Sequence, residues 1–135
     1  MIVIDSSAWI EFYRKDGLTE IKKTVTNAIK EDKAAINGII HVEILAYASK
    51  AEDYENIDSD FSSFHWFDLG KHEFKLAAHI GKELREKGIT IPATDLIVAA
   101  SAQTSNASLL HYDRHFEIIA SCYNFSTISP LRQWK

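Results

Sequence analysis

Apolar residues along this chain follow two alternating rhythms. Short, mostly apolar runs mark strands at Ile2-Val3-Ile4, Ala34-Ala35-Ile36-Asn37, His65-Trp66-Phe67-Asp68-Leu69, Ser108-Leu109-Leu110-His111-Tyr112 and near Phe125 to Ile128. Between them the spacing is helical. A first helix is predicted over residues 7–14, capped by Ser6 or Ser7 and stopping near Gly17. A second starts near Thr19, with Ile21, Val25, Ala28 and Ile29 on one face. Gly38 reads as a turn before a helix over 40–48 that is apolar on most sides. An acidic helix over 51–64 carries Tyr54, Ile57, Phe61 and Phe64 at spacings of three and four. Residues 71–87 form another, with Phe74, Ala77, Ala78, Gly81 and Leu84 along one side and Gly88 as its C-terminal cap. Thr94 is the predicted N-cap of a helix whose Leu96, Ile97, Val98, Ala99, Ala100 and Ala102 make it central. Residues beyond 128, to Lys135, read as an exposed tail. Strands alternating with helices predict one α/β domain over 1–135 with a mainly parallel sheet.

Composition changes this picture little. The chain is 46% hydrophobic and 25% charged, as soluble globular proteins are. A net charge of −4 announces no nucleic-acid partner, although a metal nuclease concentrates acids at its centre and is not excluded by it. Lys22, Lys23, Lys30 and Lys33 read as a solvated helix face, with a hold on an RNA backbone as the functional alternative. Cys122 is the only cysteine, so a reduced, cytoplasmic setting is expected. The N-terminal run has no basic flank and is interrupted by Asp5 and Glu11, unlike a signal peptide. No apolar run approaches the roughly 20 residues that span a bilayer, so no membrane association is expected.

The candidate chemistry lies in four acids. Asp5 and Asp113 follow predicted central strands, and Glu43 and Asp95 lie near the starts of predicted buried helices. Each has a bland explanation: Asp5 as a helix cap, Asp95 as an acid favoured by a helix dipole, Glu43 as a residue pointing outward. Together they could reach one edge of a parallel sheet, where binding crevices form. Two carboxylates about 4 Å apart repel by roughly 4 kcal/mol at an effective dielectric of about 20. A hard divalent cation answers that repulsion, and Mg²⁺ takes a few carboxylates while keeping waters and room for phosphate oxygens. Other chemistries fail on the residues present. A zinc-protease reading of His72-Glu73 needs a second His where Leu76 stands, and His79 is about 10.5 Å further along the axis. A dehalogenase-type phosphatase needs Asp where Ser7 stands, a receiver-like acidic pair is missing, and the five glycines form no phosphate loop.

Four blocks, V-I-D-S-S-A-W-I, H-V-E-I-L-A-Y-A, I-P-A-T-D-L-I-V-A-A-S-A and L-L-H-Y-D-R-H-F, give the chain a resemblance to the PIN-domain ribonucleases, above all to the VapC-type toxins of toxin–antitoxin pairs. The resemblance implies a three-layer α/β/α sandwich on a five-stranded parallel sheet. It implies an endoribonuclease dependent on Mg²⁺ or Mn²⁺ that hydrolyses RNA phosphodiester bonds by metal-activated water. Homodimers and inhibition by a cognate antitoxin are implied as well. Carried over residue by residue, Asp5, Glu43, Asp95 and Asp113 match the family's acidic quartet. Asp5 and Asp95 are the favoured metal ligands; Glu43 and Asp113 would bind a second ion, hold water or act as general base. Ser6 matches the small hydroxyl residue that supports the first acid. The chain departs from the pattern twice: His111 stands where many relatives have Thr, and His115 where many have a further acid. His115 could instead contact phosphate, and both histidines could equally be packing or surface residues. The alternative to a nuclease is an inactive PIN-like module that binds RNA or protein; the presence of all four acids argues against it.

Overall fold

The computed structural model describes residues 1–133, and Trp134 and Lys135, the end of the expected tail, lie outside the described residues. The elements run β1 (Ile2–Ile4), α1 (Ser6–Tyr13), α2 (Thr19–Lys30), β2 (Ala34–Ile36), α3 (Gly38–Leu45), α4 (Ala51–Ser62), β3 (His65–Trp66), α5 (Lys71–Glu86), α6 (Ala93–Thr104), β4 (Ser108–Leu110), α7 (Arg114–Cys122) and β5 (Thr127–Ile128). All four strand pairings are parallel, in the order β3-β2-β1-β4-β5. Val3, Ile4, Leu109 and Leu110 are buried completely or nearly so, as an uncharged run in a sheet covered on both faces requires. With the right-handed connections that parallel strands adopt, this order puts α1–α4 on one face of the sheet and α5–α7 on the other. This is the predicted three-layer arrangement. The direction of winding reverses between β1 and β4, which makes the carboxyl ends of those two strands the switch point of the fold.

Local chemistry explains where the helices begin and end. Asp5, Asn37 and Asp113 are the N-caps of α1, α3 and α7, their side chains accepting from the backbone N–H of Ser7, Ile40 and His115. Three helices leave by the same device. Asp32, Gly88 and Asn106, at φ of 55°, 80° and 53°, follow the C-caps of α2, α5 and α6. In each, the left-handed residue and its successor donate back to carbonyls of the last turn, as when Gly88 donates to Arg85 and Ile89 to Leu84. Gly17 has a different reason: a Cβ there would lie 1.8 Å from the Glu11 carbonyl oxygen.

Several expectations are corrected. Gly38 is the first residue of α3, because Asn37 caps a helix that opens two residues before the predicted start. The cap of α1 is Asp5 rather than Ser6 or Ser7. Helix α6 opens directly after Pro92, whose ring fixes φ, and Thr94 sits inside its first turn. On α5 the buried side is Ala77, Ile80 and Leu84, while Phe74 is 47% exposed and Ala78 exposed. Gly81 faces Leu96 so closely that a Cβ would come within 2.6 Å of it, and this sets the approach of α5 to α6. The expected tail is partly structured: Pro130–Gln133 forms a 3-10 turn against α7. Trp9, wholly buried, packs on Phe61 and stacks on Phe64, fixing α4 beside α1.

Candidate functional site

The switch point carries the acids. Asp5 ends β1 and Asp113 follows β4, on the two strands that flank the reversal. Glu43 comes from the second turn of α3 and Asp95 from the first turn of α6, two helices that touch. The four carboxylates share one electrostatic neighbourhood: Asp5 feels Glu43 and Asp95, Glu43 feels Asp95 and Asp113, and Asp95 feels Asp113. Exposure grades the cluster from floor to rim. Asp5 is 2% exposed, the Asp95 side chain 14%, and those of Asp113 and His115 35% and 38%.

Asp5 shows how a cap can also be a site. Its Oδ2 accepts from the backbone N–H of Ser7 at 3.0 Å and from the Ser7 hydroxyl at 2.6 Å. Its Oδ1 is buried and has no hydrogen-bond partner. Burial first, then the charges of Glu43 and Asp95, push its carboxyl up to about 7, against the pull of the two Ser7 hydrogen bonds. Burial also raises Glu43, with Asp95 and Asp113 adding to it, although the Ser6 hydroxyl donates to Glu43 Oε1 at 3.2 Å. Asp95 is raised by burial, partly offset by His115, whose Nδ1 lies 2.7 Å from Asp95 Oδ2. An acidic pocket that resists ionisation in the absence of counter-charge, with an unpaired oxygen at its floor, has the donor set of a divalent-cation site. At its rim, Asp95, Asp113 and His115 each offer a ligand atom, all within 4.8 Å of one another.

Ser7 was weighed from sequence only as a cap. In the fold its hydroxyl donates to Asp5 and accepts the Tyr112 N–H at 2.9 Å, tying the end of β4 to the first acid across 105 residues. No local pattern announces such a bond. His111 is wholly buried: its Nδ1 accepts the Asp113 N–H at 3.2 Å, and its Nε2 lies 2.9 Å from Glu117 Oε2. Those partners fix a neutral ring with the proton on Nε2, and burial lowers its pKa in the same sense. His111 therefore orients the backbone that presents Asp113. His115 is drawn to the carboxylates through Nδ1 rather than left on the surface. Glu43 also borders a groove of about 880 Å³ between α1, α3 and α4, walled by Trp9, Tyr13, Ile44, Tyr47 and Ile57.

The chain is similar to known proteins over most of its length. Ribonuclease VapC18 of Mycobacterium tuberculosis is 26% identical over 122 residues, covering 87% of this chain and 86% of that protein. Ribonuclease VapC11 of the same species is 27% identical over 134 residues, covering 96% and 98%. Among solved structures, VapBC2 from Rickettsia felis bound to a promoter DNA fragment superposes with a TM-score of 0.78 at 21% identity, over 96% of this chain and 98% of that one. The family model of the PIN domain matches residues 2–121, all five parallel strands but the last, and on that match the chain belongs to the PIN domain family.

Proposed function

We propose that this chain is an endoribonuclease, the toxin of a toxin–antitoxin pair, that hydrolyses RNA phosphodiester bonds at Asp5, Glu43, Asp95 and Asp113 with the help of Mg²⁺ or Mn²⁺. The observation that carries the reading is the buried Asp5 oxygen that no protein group satisfies, set among three further acids at the switch point. The names of the relatives, two ribonucleases and a VapBC complex, point the same way. Asp5 and Asp95 would hold the cation, with Asp113 at the rim beside them. Ser6 steadies Glu43, leaving that carboxylate to accept a proton from the attacking water or to help hold a second ion. A bound cation would neutralise the acids and polarise the phosphate for in-line attack. His115, whose side chain is 38% exposed, would offer its Nε2 to a phosphate oxygen. Cleavage would leave 5′-phosphate and 3′-hydroxyl ends. An antitoxin partner would cover the apolar surface beside Glu43, where Val42 and Tyr47 are 60% and 85% exposed. A homodimer and a cytoplasmic setting belong to the same reading, and no helix among the described residues is long and apolar enough to cross a membrane.

The test is RNA cleavage by the purified chain in Mg²⁺, Mn²⁺ and EDTA, beside Asp5→Asn. Asn retains the helix cap but removes the charge. Expected is metal-dependent cleavage that falls by at least about 100-fold in the variant. Undiminished cleavage by Asp5→Asn would refute the site, and wild-type protein that binds RNA without cutting it would favour the inactive module.

A further inference from the structure

We infer that His115 supplies a nitrogen ligand to the cation held by Asp95 and Asp113, so that this site is mixed oxygen and nitrogen rather than all carboxylate. The inference rests on the reading of the acidic cluster as a cation site. His115 Nδ1 lies 2.7 Å from Asp95 Oδ2 and 3.4 Å from Asp113 Oδ1. An octahedral ion with bonds of about 2.1 Å separates neighbouring ligands by about 3.0 Å and opposite ones by about 4.2 Å. The two observed distances bracket the first value, and the whole triad fits within 4.8 Å. The Asp113 contact follows from the two-residue spacing of the α7 cap, and the Asp95 contact from the packing of α6 on α7, so that two separate elements turn carboxylates toward one nitrogen.

The ring is positioned by the backbone that carries it. The His115 N–H donates to Asp113 Oδ1 at 2.9 Å in the cap of α7, so cap and triad are built from the same two residues. The second, independent sign of a ligand is the Asp5 floor: a side chain 2% exposed, with one oxygen unpartnered, lying close enough to feel the Asp95 charge. Coordination through Nδ1 leaves the proton on Nε2, the far nitrogen of a side chain that is 38% exposed. That proton is then a donor for a phosphate oxygen, so one ring serves both the ion and the substrate.

The chemistry of the donor has a consequence for the metal. Mg²⁺ is a hard ion that takes oxygen ligands, whereas imidazole favours later first-row ions and is tolerated by Mn²⁺. A neutral nitrogen also spares the cluster a further negative charge at position 115. The chain should therefore prefer Mn²⁺ to Mg²⁺ by more than an all-acid counterpart does.

Pulsed EPR of the intact chain with Mn²⁺ tests this directly. Expected is a ¹⁴N hyperfine coupling that converts to the ¹⁵N pattern when histidine is labelled, and that is absent in His115→Asp. Calorimetric titration of both proteins should show the ratio of Mn²⁺ to Mg²⁺ affinity falling about tenfold in His115→Asp. Mn²⁺ bound to wild type without nitrogen coupling overturns the inference and leaves the cation site standing, as does an unchanged affinity ratio. Wild type that binds no Mn²⁺ at all overturns both. The wild-type spectrum decides the question even where a variant does not fold.

Discussion

The two edges of the sheet use the same polar residues to opposite ends. At the amino edge, Asp32 precedes β2 and Asn106 precedes β4. There the backbone does the work: each adopts a left-handed conformation that ends a helix, and both residues are exposed. At the carboxyl edge, Asp5, Asn37 and Asp113 cap helices with their side chains, and Asp5 and Asn37 are buried in doing so. Capping occupies one oxygen of a carboxylate and leaves the other. In Asp32 the cap is made by the backbone and the whole carboxylate is left to water and His65; in Asp5 the oxygen left over is buried without a hydrogen-bond partner, under the charges of Glu43 and Asp95. A helix-capping habit that is harmless at one edge thus becomes a charged pocket at the other, because there the winding of the sheet reverses and two strand ends open onto a common crevice.

That contrast can be broken by substitution. The largest effect is expected at Asp5, in protein stripped of metal. A carboxyl held at about 7 in the fold and near 3.8 when unfolded favours folding at low pH. That contribution is lost as pH rises between those values, with a slope approaching about 1.4 kcal/mol per pH unit. Asp5→Asn should remove that part of the slope, as denaturant unfolding in EDTA from pH 4 to pH 8 would show; parallel profiles for the two proteins would mean the charge is not trapped. Next comes Asn37→Asp, which keeps a good cap but adds a charge at a fully buried position. It should cost about 2 kcal/mol or more, against about 1 for Asn37→Ala, which loses only the cap. Equal losses would show that burial of charge is not what separates the edges.

At the left-handed helix ends the effects should be smaller and confined to stability. No atom lies within 4 Å of a Cβ built on Gly88, so Gly88→Val should lose only the about 1–2 kcal/mol of a strained left-handed backbone, with cleavage intact. Asn106→Gly should shift the melting temperature upward slightly, by less than about 0.5 kcal/mol in stability, since Asn already tolerates the conformation. A change in RNA cleavage by either variant would mean that these helix ends are coupled to the acidic crevice.

Read alone, the chain already disclosed the order of strands and helices, because the period of apolar residues is a local property of the backbone they build. It also determined that acids stand at the ends of β1 and β4 and early in α3 and α6. Boundaries set by a single cap were less legible: Asn37 begins α3 where Gly38 suggested a turn, since a side-chain bond to Ile40 leaves no mark on periodicity. Which side of α5 is buried, with Ile80 inward and Phe74 outward, depends on the helix it meets. Only the tertiary structure decided that Ser7 would hold Tyr112, that His111 would brace Asp113, and that His115 would turn toward Asp95. The strand order β3-β2-β1-β4-β5 brings together segments more than a hundred residues apart, and the burial that leaves one Asp5 oxygen unpaired exists only once they have met.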